Sequence, residues 1–108
     1  MTDPETHLEI TTERDGDTYV VRLAGELDVA GTDLVDRALT QAEESDAGRI
    51  LVDIDRLEFI DSHGLRTLLR AHRRDEESGA GRLRVTRGRG HVAELLRLTA
   101  IDQTLRFA

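Results

Sequence analysis

The sequence predicts a single α/β domain, with a mixed sheet of about four to five strands covered by about three to four helices. Three observations support this prediction. The chain has 108 residues, which is enough for one hydrophobic core and too few for two. Leu, Ile, Val and Phe make up 29 of these residues, a larger share than disordered chains contain. Segments with the period of a strand alternate along the chain with segments that have the period of a helix.

The chain opens with a predicted hairpin. Residues 1–6 are polar and are expected to form a flexible lead, which leaves residues 7–108 for the domain. Apolar and polar residues alternate over 8–12, as in a half-buried strand. Residues 15–17 (Asp-Gly-Asp) are a turn signal, and a second alternating strand follows over 19–24. These two strands are expected to pair antiparallel.

After the hairpin, helices alternate with strands, so largely parallel pairing follows. Asp28 and Thr32 each offer an oxygen that can cap the first helix. The run Ile50-Leu51-Val52 is typical of a central strand that is buried on both faces. The predicted elements are a helix to about residue 46, strands over 49–54 and 57–60, a helix from about 62 to 78, a strand over 82–86, a helix over 92–99 and a short last strand at 105–107.

Composition excludes several classes of protein. Without cysteine, the chain has no disulfide, no cysteine zinc site and no thiol nucleophile. It has no apolar run that would span a membrane and no signal-peptide profile, so we expect a cytoplasmic protein without membrane contact. The net charge of −7 argues against nucleic acid as a partner, and the lack of an apolar surface stripe favours a monomer.

The sequence gives no support for an enzyme, a metal site or a bound cofactor. Three consecutive residues, such as 61–63 (Asp-Ser-His), cannot relay hydrogen bonds as a catalytic triad, and the Gly-x-Ser-x-Gly motif is absent. The four histidines lack the spacing of metal ligands. His72 and the acidic run 75–77 are expected to form a solvated helix face. The loop 87–90 resembles one RNA-binding repeat, but a flexible turn is the better interpretation.

Ser62 is the most informative position, because it follows a buried strand and opens a helix. Two interpretations stay open at this point. In the first, the Ser62 side chain is simply the helix N-cap. In the second, its hydroxyl accepts a phosphoryl group, which the positive end of a helix tolerates and which a partner can read as added charge.

Three segments together resemble the STAS domain, and most closely the bacterial anti-sigma factor antagonists. The most specific is the block Asp61-Ser62-His63-Gly64-Leu65 after the apolar strand, and the strand residues 50–53 precede it. Residues 23–28 (Leu-Ala-Gly-Glu-Leu-Asp) and 92–99 resemble the family's strand end and last helix. The resemblance covers roughly residues 8–107 and implies a STAS-like single domain.

In that family, an anti-sigma factor that is also an ATP-binding serine kinase phosphorylates the serine after the aspartate. The resemblance therefore implies that unphosphorylated chain binds this kinase and frees a sigma factor, that phosphorylation of Ser62 abolishes binding, and that a phosphoserine phosphatase resets the cycle. An alternative is a STAS subunit of a lipid-transport ATPase complex or of a sensory, nucleotide-binding signalling complex. The implied partner-binding residues are Asp28, Asp61, Ser62, His63, Gly64, Leu65 and Arg66.

Two residues depart from the family pattern. His63 stands where small residues are common, so partial shielding of the Ser62 hydroxyl and a different kinase are expected consequences. Ala100 stands where glycine often follows the last helix. Because glycine eases a left-handed helix end, Ala100 predicts a different ending for this helix.

Overall fold

The structure is a computed structural model that describes residues 7–108, so the expected flexible lead lies outside the described residues. The described strands form one mixed sheet in the order β1-β2-β3-β4. The hairpin of β1 and β2 is antiparallel, as predicted, and β2–β3 and β3–β4 are parallel pairs. The strands are β1 (Leu8–Asp15), β2 (Thr18–Leu27), β3 (Arg49–Ile60) and β4 (Leu83–Val85).

Residues 7–108 also form three α-helices and two short 3-10 turns, of which the last helix and the last turn follow β4. The sequence predicts four to five strands and three to four helices, and residues 7–108 form four strands and three α-helices. The predicted mixed α/β domain is therefore confirmed. No helix of this part of the chain is long and apolar enough to cross a membrane. The helices are α1 (Thr32–Glu44), α2 (Ser62–Glu77) and α3 (Gly90–Leu98), and the 3-10 turns are Val29–Gly31 and Ile101–Gln103.

The core lies between the sheet and its helices. Val20 and Val21 are both buried, and successive strand residues point to opposite faces, so both faces of β2 are covered at this position. Ile50 and Val52 are also buried, whereas Leu51 between them is partly exposed. The central run of β3 is therefore fully covered on one face and only partly covered on the other.

Two local predictions about elements are wrong. Thr32 does not cap the first helix, because its hydroxyl donates to the carbonyl oxygen of Val29 (3.1 Å). Asp28 caps the 3-10 turn instead, since its Oδ1 accepts from the backbone N–H of Ala30 (3.0 Å). The expected last strand is only a single parallel bridge between Val85 and Phe107, because β4 offers three residues for pairing.

The acidic run 75–77, expected to be solvated, is solvated only in part: Glu76 and Glu77 are exposed, but Asp75 is buried. Asp75 is 7% exposed, and its two carboxylate oxygens accept from the backbone N–H groups of Arg82 (2.9 Å) and Leu83 (3.1 Å). His72 is also buried, with Nε2 2.9 Å from Oε1 of Glu76. The start of β4 needs acceptors for its first amides, and Asp75 supplies them from the neighbouring helix.

The expectation of a different ending for α3 is also wrong. Ala100 adopts the left-handed conformation (φ 60°, ψ 14°) directly after the helix. Its backbone N–H donates to the carbonyl oxygen of Arg97 (3.1 Å). The helix therefore ends in the geometry that glycine favours, with an alanine in place.

Candidate functional site

The site lies at the edge of the sheet where β2 and β3 end side by side. These strands are parallel, and Leu27 is in register with Ile60. Asp28 and Asp61 therefore follow their strands at the same edge of the sheet. The backbone N–H of Asp61 donates to the carbonyl oxygen of Leu27 (3.1 Å), which ties the start of α2 to the end of β2.

Asp61 is the N-cap of α2, and the interpretation of Ser62 as the cap is wrong. Oδ1 of Asp61 accepts from the backbone N–H groups of His63 (2.9 Å) and Gly64 (3.0 Å). Burial acts to raise the pKa of the Asp61 carboxyl, but the hydrogen bonds from Gly64 and His63, with the charge of the His63 ring, outweigh it and lower the pKa. Asp61 therefore holds an anionic charge at the positive end of the helix.

Ser62 is the first residue of α2, and its side chain is exposed. Within residues 7–108 no group forms a hydrogen bond with its hydroxyl, because Asp61 already satisfies the helix start. The hydroxyl is thus free to react with or bind a second molecule. His63 does not bury it, since the imidazole lies beside Asp61 instead, with Nδ1 3.4 Å from Oδ2.

Gly64 and Leu65 hold the start of α2 against the sheet. Both are buried, unlike Ser62, His63 and Arg66. A Cβ added at Gly64 would lie 2.8 Å from Cγ of Leu27 and 2.7 Å from Cγ1 of Ile60. Only glycine lets the helix approach the two strand ends this closely. Of the predicted partner-binding residues, these two therefore position the surface, and the others are at least partly exposed on it.

A groove of about 390 Å³ runs from Ser62 along α2 and is closed on its far side by the segment after α3. We call it the α2 groove. Sequence reasoning missed all of its members beyond Arg66. Residues 62, 65, 66, 69 and 73 follow the spacing of one helix face, so the sequence contains a signal for the wall of the groove that α2 forms. Nothing in the local sequence indicates the opposite wall. The α2 groove is lined by Ser62, Leu65, Arg66, Leu69, Arg73, Thr99 and Ile101.

The described residues carry no evidence of metal chemistry at this edge or elsewhere. In residues 7–108, no three His, Asp or Glu side chains lie close enough together to hold a metal ion. The acidic groups of the site, Asp28 and Asp61, are both engaged as caps. The arrangement brings together one unengaged hydroxyl, two carboxylates and an adjoining groove at the same edge of the sheet.

Comparisons with known proteins place this geometry in a family. A family model described as "Mlab, STAS domain" matches residues 10–106. A comparison with curated proteins gave no match. Among solved structures, an anti-sigma factor antagonist from Mycobacterium paratuberculosis superposes with a TM-score of 0.80 at 22% identity, covering 99% of this chain and 89% of that one.

Two further solved structures are forms of one protein. The anti-sigma factor antagonist SpoIIAA in its unphosphorylated form is 25% identical, with a TM-score of 0.68 and coverage of 93% of this chain and 88% of that one. The Bacillus cell fate determinant SpoIIAA in its phosphorylated form is 24% identical, with a TM-score of 0.66 and coverage of 93% and 91%. The shared fold is thus found in a protein described in both phosphorylation states.

Proposed function

Because the chain belongs to the STAS domain family, whose model it matches over residues 10–106, we propose that it is an anti-sigma factor antagonist that works by partner switching. In its unphosphorylated form it binds an anti-sigma factor of the ATP-binding serine kinase type and frees a sigma factor. Phosphorylation at Ser62 abolishes this binding. The observation that carries the proposal is the exposed, unengaged hydroxyl of Ser62 at the first residue of α2.

The switch is a phosphoryl transfer to Ser62. Oγ of Ser62 attacks the γ-phosphorus of ATP bound to the kinase, the bond from that phosphorus to the bridging oxygen breaks, and ADP leaves. The hydroxyl proton passes to a base of the kinase. Hydrolysis by a phosphoserine phosphatase restores the hydroxyl and releases phosphate. The chain itself supplies only the acceptor, so no catalytic residue is assigned to it.

The loss of binding follows from charge at the interface. A phosphoserine adds about −1.5 to −2 charges, at a position next to Asp61 and on the same sheet edge as Asp28. Removing such a group from water at the interface, beside two carboxylates, costs several kcal/mol. The helix start tolerates the phosphate, because Asp61 keeps its two hydrogen bonds and the helix dipole favours the anion. Binding is therefore lost while the fold is retained.

The test is a pull-down from a lysate of the native organism, followed by mass spectrometry of the retained proteins. The baits are the wild type, Ser62→Ala, Ser62→Asp and, as a matched control for added charge, Thr12→Asp on the exposed part of β1. We expect an ATP-binding anti-sigma kinase on every bait except Ser62→Asp. Purified kinase should then phosphorylate the wild type and not Ser62→Ala.

Equal recovery of the same partners by all four baits would overturn the proposal. The alternative functions would then explain the chain better, namely a STAS subunit of a lipid-transport ATPase complex or of a nucleotide-binding sensory complex. Recovery of a transport ATPase by the wild type would distinguish the first of these. As part of the same proposal, the chain acts as a cytoplasmic monomer without nucleic acid or membrane contact.

A further inference from the structure

The α2 groove carries a charge opposite to that of the whole chain. The chain has a net charge of −7, yet both charged residues that line the groove are arginines and none is acidic. Such a local reversal of sign attracts anionic partners and repels cationic ones.

The two groove arginines are also unpaired, in contrast to their neighbours on α2. Arg70 pairs with Asp36 (3.1 Å), and Arg74 pairs with Glu43 (2.9 Å). The guanidinium groups of Arg66 and Arg73 form no ion pair or hydrogen bond within residues 7–108, and both residues are exposed. The helix therefore turns its paired cations toward α1 and leaves two free cations along the groove.

The spacing of these cations defines the shape of what fits between them. Seven residues along one helix correspond to about two turns, or about 10.5 Å along the axis. Leu65, Leu69 and Ile101 line the groove between and opposite the arginines, and all three are at least partly buried. A complementary segment therefore has apolar side chains in the middle and carboxylates about two helical turns apart.

We propose that the α2 groove docks an acidic amphipathic helix of the anti-sigma factor, with Arg66 and Arg73 binding carboxylates at its two ends. This inference rests on the proposed function. Helix-in-groove recognition uses anchors at this kind of spacing. Ser62 lies one helical turn before Arg66, at the i, i+4 distance at which an anion N-terminal to a cation pairs with it. A phosphate on Ser62 therefore competes with the docked helix for Arg66.

The experiment measures the affinity of the purified anti-sigma kinase for the unphosphorylated chain by isothermal titration calorimetry at several salt concentrations. Arg66→Glu and Arg73→Glu are compared with the wild type and with Arg37→Glu, a matched reversal at an exposed residue of α1 outside the groove. We expect each groove reversal to weaken binding by about tenfold or more and to flatten its salt dependence, and the control to change it by less than about twofold. Thermal melts verify that each variant remains folded.

The outcomes separate the inference from the proposed function. If the kinase binds the wild type and both groove reversals as tightly as the control, the inference is overturned and the proposed function stands. If the groove reversals strengthen binding, the docked segment is basic and the inference is likewise overturned. If no anti-sigma kinase binds the wild type, the proposed function fails and takes the inference with it. Sedimentation showing a dimer that Arg66→Glu dissociates would assign the groove to a second copy, which also overturns the inference.

Discussion

Ala100 is a position where one substitution is expected to stabilise the chain. It adopts φ 60° and ψ 14°, where an L-residue with a Cβ is strained by about 1–2 kcal/mol. Glycine removes this strain, but it loses about 0.5–1 kcal/mol more backbone entropy on folding than alanine. We therefore expect Ala100→Gly to raise the free energy of unfolding by about 0.5–1 kcal/mol. Ala100 is exposed, so loss of its methyl group leaves no cavity in the core.

Thermal unfolding measured by circular dichroism checks this value. The entropy of unfolding is about 2.1 cal/mol/K per residue, or about 0.23 kcal/mol/K for a chain of this length. The expected stabilisation then corresponds to a rise in Tm of about 2–4 °C. Ala93→Gly, in the middle of α3, is the matched control and should lower the stability by about 1 kcal/mol. If Ala100→Gly lowers Tm as the control does, the helix does not end in a left-handed residue and the reasoning is refuted.

Three further substitutions test the start of α2. Asp61→Ala removes the acceptor of two backbone hydrogen bonds and should cost about 0.5–2 kcal/mol in urea unfolding, whereas Ser62→Ala should stay within about 0.5 kcal/mol of the wild type. Folding lowers the pKa of the Asp61 carboxyl, so its charge stabilises the fold fully at pH values above the unfolded pKa. This stabilisation is lost as the pH falls through the lower, folded pKa. The difference in free energy of unfolding between the wild type and Asp61→Ala should therefore become smaller in acid. If Asp61→Ala and Ser62→Ala lower the free energy of unfolding equally, both side chains cap the helix, and the assignment of the cap to Asp61 alone is wrong. Gly64→Ala should destabilise by about 1–3 kcal/mol, because its Cβ would meet Leu27 and Ile60, and an unchanged Tm would contradict the close approach.

Most of the fold could be predicted because its local signals agree with its long-range pairing. The alternation of the first two strands and the turn between them specify an antiparallel hairpin, and the strands that alternate with helices specify parallel pairing. The last strand could not be predicted correctly, because apolar residues at 105 and 107 give the same pattern for a strand and for one bridge. Its length depends on β4, which presents only three residues.

Asp75, near the end of α2, shows a kind of burial that a local sequence pattern does not reveal. A histidine and carboxylates at helical spacing are typical of a solvated face, yet Asp75 is buried. Its oxygens accept from the amides of Arg82, just before β4, and of Leu83, the first residue of β4, seven and eight residues further along the chain. An unpaired buried amide costs about 1–3 kcal/mol. The cost of leaving these backbone amides without acceptors therefore exceeds the cost of removing the Asp75 carboxylate from water. The amides lie close to Asp75 only in the tertiary structure, so the local sequence does not reveal this contact.

The candidate site was located by sequence but assigned only by structure. The block from Asp61 to Leu65 indicates a helix start after a strand, and both of its first residues are good caps. Competition between them is decided by geometry, because Oδ1 of Asp61 reaches two amides at once. The far wall of the α2 groove comes from Thr99 and Ile101, which reach α2 only through the ending of α3.

The helix cap, Asp61, and the proposed phosphate acceptor, Ser62, are adjacent but different residues. This arrangement determines how the proposed switch would affect the structure. If Ser62 were the cap, modifying its oxygen would change the hydrogen bonds that hold the helix start, and each cycle of phosphorylation would disturb the core through Leu65. With Asp61 as the cap and Gly64 packed against Leu27, the helix start stays fixed while the Ser62 side chain changes its charge. The whole effect of a phosphate then falls on the surface and on the adjoining groove, where Arg66 is free to respond. The proposed switch therefore requires no refolding of the domain.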